Sequence, residues 1–284
     1  MKKSTELILA AAGGTAARAV MDQMSQLEVS RYRLSFKKLP REFDGLKIVH
    51  LSDLHNKKYG FGDSELYFAI MKESPDLIFM TGDMISHAGE NREDFFMLVE
   101  KLSQQIPIFY VNGNHECSDL GEEGFAEMTK RFADAGVFCL DNTSVTLYRG
   151  KSALNLCGLC YTAEYYKGVR QHKFNWNDFT LDEMKKFCGE KPSEDFTVLL
   201  AHNPLDFDVH AEWGADLSFG GHIHGGFIRL PIVKGIISPE LRLFPKYKEG
   251  VYTKGRSALV VSRGLGRIRF FNPPELVTVT LKSK

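Results

Sequence analysis

The sequence has few cysteines, and their spacing excludes a disulfide-stabilised scaffold. Only five of the 284 residues are cysteine, whereas small secreted domains use even, closely spaced sets. Cys157 and Cys160 have the spacing of a redox pair, but they end a segment with the pattern of a strand, "SALNLCGLC". We therefore expect small core or strand-end residues there. Because no second Cys-x-x-Cys motif occurs, a zinc ribbon is not predicted.

The chain also lacks an excess of charge of either sign. Lys plus Arg and Asp plus Glu both number 36, which gives a formal net charge of zero. Attraction to nucleic acid or to an anionic membrane is therefore not implied, and no nucleic-acid partner is predicted. A local basic group remains at residues 263–270, "RGLGRIRF", which contain three arginines.

A long hydrophobic run is absent as well. The apolar segment from Leu7 to Ala17 has 11 residues, against the roughly 20 that span a bilayer. Glu6 precedes it and Arg18 closes it, which is not typical of a signal peptide. For residues 1–28 we predict a leader or peripheral N-terminal helix, with a degenerate membrane anchor as the alternative. The expected location is cytoplasmic, with membrane association only through this segment.

What the sequence does have is a regular alternation of strand-like and helix-like segments from Val29 onward. Short apolar runs predict strands, and helical spacing lies between them, as in parallel α/β sheets. Three short strands, "GVFCL", "SVTLY" and "ALNLC", then indicate a meander, and buried strands return from Phe196. We predict one two-sheet α/β domain over residues 29–284. The early strands are predicted at 32–36, 46–52, 76–81 and 108–111, and the helices at 64–74, 93–106 and 121–136.

Ionisable and amide side chains collect at the carboxyl ends of the predicted strands. Five of the nine histidines occupy such positions. Because ligands of α/β sheets bind outside the carboxyl ends of the strands, we expect these side chains to converge on one site. The candidate site residues are Asp53, His55, Asp83, Asn114, His115, His202, His222 and His224.

The donor types indicate a metal centre. Imidazoles, carboxylates and one amide oxygen, without thiolate, suit Mn, Fe, Zn or Ni better than a structural zinc site. Seven of these eight side chains acting as ligands would be too many for one tetrahedral ion. They suit two ions that share a carboxylate, as in phosphoryl displacement. "SDLH" or "TGD" alone is a weak signal, because an aspartate after a strand is also a common helix N-cap. The prediction depends on the set, in order and always at strand ends.

The order D-x-H, G-D, G-N-H-E, H and G-H-x-H resembles the calcineurin-like metallophosphoesterase superfamily. The segments "LAHNP", "GADLSFGGHIHGG", "VSRGLG" and "NPPEL" are similar to its bacterial branch of small phosphodiesterases and phosphohydrolases. The similarity runs from Val29 to Leu281. It implies a single-domain, four-layer α/β/β/α sandwich of two mixed sheets, with a dinuclear centre between the sheet ends.

The resemblance also implies roles for individual residues. His115 is expected beside two divalent metal ions, where it would protonate the leaving oxygen or stabilise charge. A hydroxide between the ions would attack phosphorus in line, because the metals lower the pKa of water. The implied ligands are Asp53, His55 and His224 for the first ion, Asn114, His202 and His222 for the second, and Asp83 as the bridge.

The implied activity is hydrolysis of phosphodiester bonds, with phosphomonoester and pyrophosphate bonds left open. The expected substrate is a small phosphoester, and the branch suggests a nucleotide-linked lipid or envelope precursor. Arg229, Arg263 and Arg267 are candidate phosphate contacts, because guanidinium matches phosphate geometry. Two alternatives are a non-catalytic scaffold, which would lack ligands or His115, and a nuclease, which would carry a basic groove. The oligomeric state is not fixed by the sequence.

Overall fold

The structure, a computed structural model, describes residues 26–86, 91–162, 165, 179–226, 229–230, 234–235, 246–266 and 272–284. The side chains of residues 229–230 and 234–235 are not described. Most of the predicted N-terminal segment, the Arg229 side chain and Arg267 therefore lie outside the described part. Within that part, no helix has the length and hydropathy needed to cross a bilayer.

Six strands form the first sheet, and its register brings three strand ends level. The spatial order is Glu28–Phe36 (β1), Glu275–Ser283 (β14), Lys47–Leu51 (β2), Leu77–Thr81 (β3), Ile108–Val111 (β4) and Phe138–Cys139 (β5). Strands β2 to β5 are parallel, β14 is antiparallel to β2, and β1 is parallel to β14. Leu51 lies opposite Met80, and Thr81 opposite Val111, so the loops after β2, β3 and β4 emerge at one edge.

The second sheet also has six strands and is mixed. Its four central strands are parallel, and an antiparallel hairpin strand closes each edge. The spatial order is Gly250–Lys254 (β12), Ser257–Val261 (β13), Leu217–Gly220 (β9), Phe196–Ala201 (β8), Ser152–Leu159 (β7) and Ser144–Arg149 (β6). Arg229–Leu230 (β10) and Lys234–Gly235 (β11) form a separate antiparallel pair.

The two sheets pack face to face, with helices on both outer faces. Phe79 of the first sheet contacts Phe219 of the second, ring centroids 5.1 Å apart, whereas Ile78 and Met80 face the helices. Each such buried side chain contributes roughly 1.5–3 kcal/mol. The helices are Ser64–Glu73 (α1), Glu93–Ser103 (α2), Asn114–Ser118 (α3), Gly121–Ala135 (α4), Leu181–Cys188 (α5) and Phe207–Trp213 (α6), with 3₁₀ turns at Arg41–Phe43 and Phe61–Asp63. The predicted four-layer α/β/β/α sandwich is confirmed.

The predicted meander is wrong in its connections. Strand β5 pairs with β4 in the first sheet, whereas β6 begins the second. The chain changes sheets at Asp141 and Asn142, where Asn142 has a left-handed φ of 53° and its side-chain oxygen accepts from the Cys160 amide. Strand β7 then pairs with β8 in parallel rather than continuing a meander. Strand-like spacing does not specify the sheet, so the sequence pattern could not separate these strands.

Two of the five cysteines are buried in the described fold. All five are free, and both Cys157 and Cys160 are buried, as expected. The Cys160 sulfur contacts Cys117, at an Sγ–Sγ distance of 3.5 Å, rather than its neighbour in the "CGLC" motif.

Candidate metal centre

The loops that follow β2, β3, β4, β8 and β9 bring all eight predicted site residues to one place. The two sheets approach each other at these ends, so side chains from both meet across the gap. His202 Nε2, from the second sheet, lies 3.2 Å from Asp83 Oδ2 of the first sheet. His224 Nε2 lies 3.6 Å from Asp53 Oδ1.

The first ligand group consists of Asp53, His55 and His224. One donor atom of each residue lies within 4.8 Å of the others. The imidazoles of His55 and His224 stack, with centroids 5.1 Å apart. His55 Nδ1 is 2.9 Å from Ser86 Oγ, and this hydrogen bond fixes the ring. Its Nε2 is therefore directed toward the carboxylates.

The second ligand group consists of Asp83, His202 and His222, again within 4.8 Å. His202 Nδ1 donates to the backbone oxygen of Thr81 at 2.7 Å, which directs Nε2 toward Asp83 as the nitrogen that would bind a cation. Asp83 is shared, because its Oδ2 also lies 3.9 Å from His55 Nε2. A carboxylate placed between two ligand groups is the arrangement that a bridging ligand needs.

The electrostatics of the site favour cations. Burial alone would lower the pKa of His202, but the carboxylates of Asp83 and Asp53 raise it to about 10. Burial would likewise raise the pKa of Asp83, yet the imidazoles of His202, His115 and His55 hold it well below its usual range. The carboxylates thus stay ionised in a buried place, and this stabilises positive charge there.

Asn114 and His115 enter the site from the first turn of α3. Asn114 is buried, and its Oδ1 has no hydrogen-bond partner among the described residues. Because a buried, unpaired amide oxygen costs about 1–3 kcal/mol, a ligand outside the chain is indicated. His115 Nδ1 lies 2.7 Å from Asp119 Oδ2, and its Nε2 is 3.8 Å from Asp83 Oδ2.

Five candidate ligands adopt left-handed backbone conformations, which non-glycine residues rarely do. Such residues persist only where the surroundings fix them, and they cluster at functional sites. The loops are also closely packed: a Cβ on Gly113 would lie 2.2 Å from Asp83 Oδ1, and one on Gly221 would lie 2.2 Å from Asp53 Oδ2. The φ angles are 52° at Asp53, 50° at His55, 53° at Asp83, 64° at His222 and 54° at His224.

Glu116 is a site residue that the sequence analysis missed. Its buried carboxylate accepts the backbone N–H groups of Gly113, Asp83, Met84 and Ile85, at 2.7–3.1 Å. Burial, together with the negative charge of Asp83, raises its pKa to about 7. Glu116 therefore joins the loops after β3 and β4. Its position directly after an amide residue and an ionisable residue, Asn114 and His115, in "GNHE" was the available signal.

Among the three predicted arginines, Arg263 is the one whose side chain belongs to the described part of the chain. Arg263 is 4% exposed and pairs with Glu28 at 2.6 Å and Glu275 at 3.4 Å. Its guanidinium is therefore directed into a carboxylate cluster. The Arg229 side chain and Arg267 lie outside the described residues, so a phosphate contact by these residues stays a prediction.

The donor set fits divalent cations, since imidazole, carboxylate and amide oxygen are the ligands of Mn, Fe, Zn and Ni sites. Residues 46–226 match the family model described as calcineurin-like phosphoesterase. The chain belongs to the calcineurin-like phosphoesterase family. As a metallophosphoesterase it is a hydrolase that uses divalent metal, and the described site supplies the candidate ligands.

Bacterial relatives resemble this metallophosphoesterase over most of its length. The Bacillus subtilis protein described as "uncharacterized metallophosphoesterase YkuE" is 29% identical over 283 residues, 96% of this chain and 91% of the relative. Phosphodiesterase YaeI of Escherichia coli is 26% identical, covering 85% and 82%. UDP-2,3-diacylglucosamine pyrophosphatase LpxG of Chlamydia trachomatis is 26% identical, covering 88% of each chain.

Proposed function

We propose that this metallophosphoesterase binds two divalent cations and hydrolyses phosphodiester or pyrophosphate bonds of a small molecule. The observation that supports this most directly is the position of Asp83, whose carboxylate lies between two histidine groups. One cation would be held by Asp53, His55 and His224, and the other by Asn114, His202 and His222, with Asp83 shared.

The cations, when bound, supply positive charge that acidifies water and stabilises charge on phosphoryl oxygens. The chain itself supplies the remaining functions. Asp83 is held ionised by its imidazole neighbours, and Glu116 fixes the backbone on which it sits. His115 is placed to donate a proton to the leaving oxygen, because Asp119 orients the ring through Nδ1 and leaves Nε2 facing the site.

A diester or pyrophosphate substrate is favoured by the relatives. One is named a phosphodiesterase and another a pyrophosphatase that acts on a nucleotide-linked diacyl sugar. We therefore propose that the substrate is a nucleotide-linked precursor, with a lipid group as the first class to test. A nuclease is less favoured, because the sequence has no excess of basic residues.

The test compares bis-p-nitrophenyl phosphate with p-nitrophenyl phosphate after chelation and addition of Mn²⁺, Zn²⁺ or Mg²⁺ separately. We expect metal-dependent release, faster for the diester, and a loss of at least ~10²-fold in Asp83→Asn. The matched control is Asp216→Asn, a buried carboxylate that accepts the Thr197 amide at the opposite end of the second sheet. A folded protein that is inactive with every metal would contradict the proposal.

A further inference from the structure

We infer that Asn272 is a positioning residue for the first-cation ligands Asp53, His55 and His224, an inference that rests on the proposed function. Asn272 is fully buried. Its side-chain amide donates to the backbone oxygens of His224, at 2.5 Å, and Gly226, at 3.2 Å. It therefore fixes both sides of the turn that carries His224.

The segment before Asn272 fixes the other first-cation loop. The amides of Leu265 and Gly266 donate to the backbone oxygens of Ser52, at 2.9 Å, and Asp53, at 2.5 Å. Contact is close: a Cβ on Gly266 would lie 2.7 Å from Asp53 O and 2.9 Å from His55 Cδ2. We define residues 262–266 and Asn272 as the C-terminal strap. All of them lie outside residues 46–226, the range of the family match.

The buried Arg263 anchors this strap to the first sheet. Its backbone amide donates to Glu275 Oε2 of β14 at 2.9 Å, and its guanidinium pairs with Glu28 of β1. Its aliphatic part packs against Gly225, where a Cβ would lie 2.8 Å from Cγ. The described residues of the strap are therefore held at the sheet edge by hydrogen bonds and an ion pair, and they can impose a conformation on the loops that they contact.

The first-cation ligands need such support because their backbones are left-handed, with φ of 52° at Asp53, 50° at His55 and 54° at His224. Without the strap's hydrogen bonds these residues would relax toward commoner conformations and turn their donor atoms away. His202, by contrast, is oriented by the Thr81 oxygen on β3. Loss of Asn272 should therefore weaken one cation site and spare the other.

The experiment is a Mn²⁺ titration of the full chain that is monitored by electron paramagnetic resonance. The wild-type protein should bind two ions and give an exchange-coupled spectrum. Asn272→Ala should give the six-line signal of isolated Mn²⁺, with one ion bound ~10–100-fold more weakly. Asn272→Asp, of equal shape but without N–H donors, should show the same loss. The matched control is Asn155→Ala, a buried asparagine that donates to Ser193 Oγ at 2.8 Å in the second sheet.

Wild-type affinity for both ions in Asn272→Ala would overturn the inference, and so would an equal weakening of both. Thermal unfolding of the chelated proteins separates a folding defect from a metal-binding defect. A loss of stability should occur in both Asn272→Ala and Asn155→Ala, whereas weaker metal binding should occur in Asn272→Ala alone. A wild-type protein that binds a single ion would contradict the two-cation proposal by itself. If that single ion requires His224, its loss in Asn272→Ala would support the role of Asn272, and its retention would overturn it.

Discussion

At the scale of single residues, the orientation of His115 is set by its neighbours rather than by its own position in the chain. Asp119, one helical turn later, lies 2.7 Å from Nδ1, and the backbone amide of His115 donates to Asp83 Oδ1 at 2.9 Å. The backbone of His115 is thus bonded to a candidate bridging ligand, and its ring is oriented by a second carboxylate. This fixes which nitrogen faces a substrate.

His115→Gln should lower kcat by ~10²–10⁴-fold, because a general acid contributes about that much. The loss should be larger for an alkyl phosphodiester than for bis-p-nitrophenyl phosphate, whose leaving group needs no proton. Mn²⁺ stoichiometry should remain that of the wild type. Asp119→Asn, which keeps the ring but changes its partner, should cause a smaller loss. Equal losses with both substrates would rule out the acid role.

At the scale of elements, the strand-to-helix loops hold conformations that they would not adopt alone. Asp83 has a left-handed φ, and the loop after β3 is fixed by hydrogen bonds to Glu116 of α3. The Glu116 carboxylate accepts hydrogen bonds from four backbone N–H groups that would otherwise have no capping partner. Contacts between loops therefore fix the positions of the candidate ligands.

Glu116→Gln should lower the free energy of unfolding by about 2–4 kcal/mol. The side-chain nitrogen of glutamine is a donor, so it cannot accept hydrogen bonds from the backbone N–H groups that it would face. Urea unfolding of the chelated protein measures this. The matched control is Glu100→Gln, which removes a half-exposed carboxylate paired with Arg131 and should cost about 0–1 kcal/mol. If the two variants were equally stable, Glu116 would have no structural role.

The convergence of the candidate ligands could be predicted from the sequence, whereas the residues that support them could not, for a physical reason. Candidate ligands such as His202 follow buried strands directly, so strand pattern and residue type locate them. Glu116 and Asn272 act on backbone atoms of other loops, and Asn272 lies 48 positions from His224. No local periodicity encodes such a contact. The change of sheet at Asn142 could not be predicted either, because the strands before and after it have similar sequence patterns.

At the scale of the whole molecule, buried ionisable groups outside the site contribute to the dependence of stability on pH. His210 of α6 is fully buried, with no hydrogen-bond partner for either ring nitrogen in the described part of the chain, and burial lowers its pKa to about 3. Burial raises the pKa of Asp206 to about 7, although Tyr161 and Asn203 donate to it. The two groups therefore act in opposite directions.

Between pH 3 and 6.5 the unfolded state binds a proton at His210 that the folded state does not, so stability falls as pH falls. From pH 7.5 to 5.0 this costs about 2 kcal/mol, and His210→Leu should remove that part of the loss. Asp206 binds its proton more tightly when folded, so Asp206→Asn should make the loss steeper. Urea unfolding at pH 7.5 and pH 5.0 measures the loss of stability in both variants. If the two substitutions changed this loss in the same direction, the opposite roles of His210 and Asp206 would be contradicted.

The place of β14 has a consequence for biosynthesis. This strand follows every other strand in chain order, yet it lies between β1 and β2, and Ser30 is hydrogen-bonded to Glu275 across 245 positions. While a ribosome still holds the residues of β14, β1 has no neighbour in the first sheet, and the strap that supports the ligands is not yet anchored. The centre can therefore reach its final geometry only after the nascent chain has emerged, since contacts so distant in sequence form late.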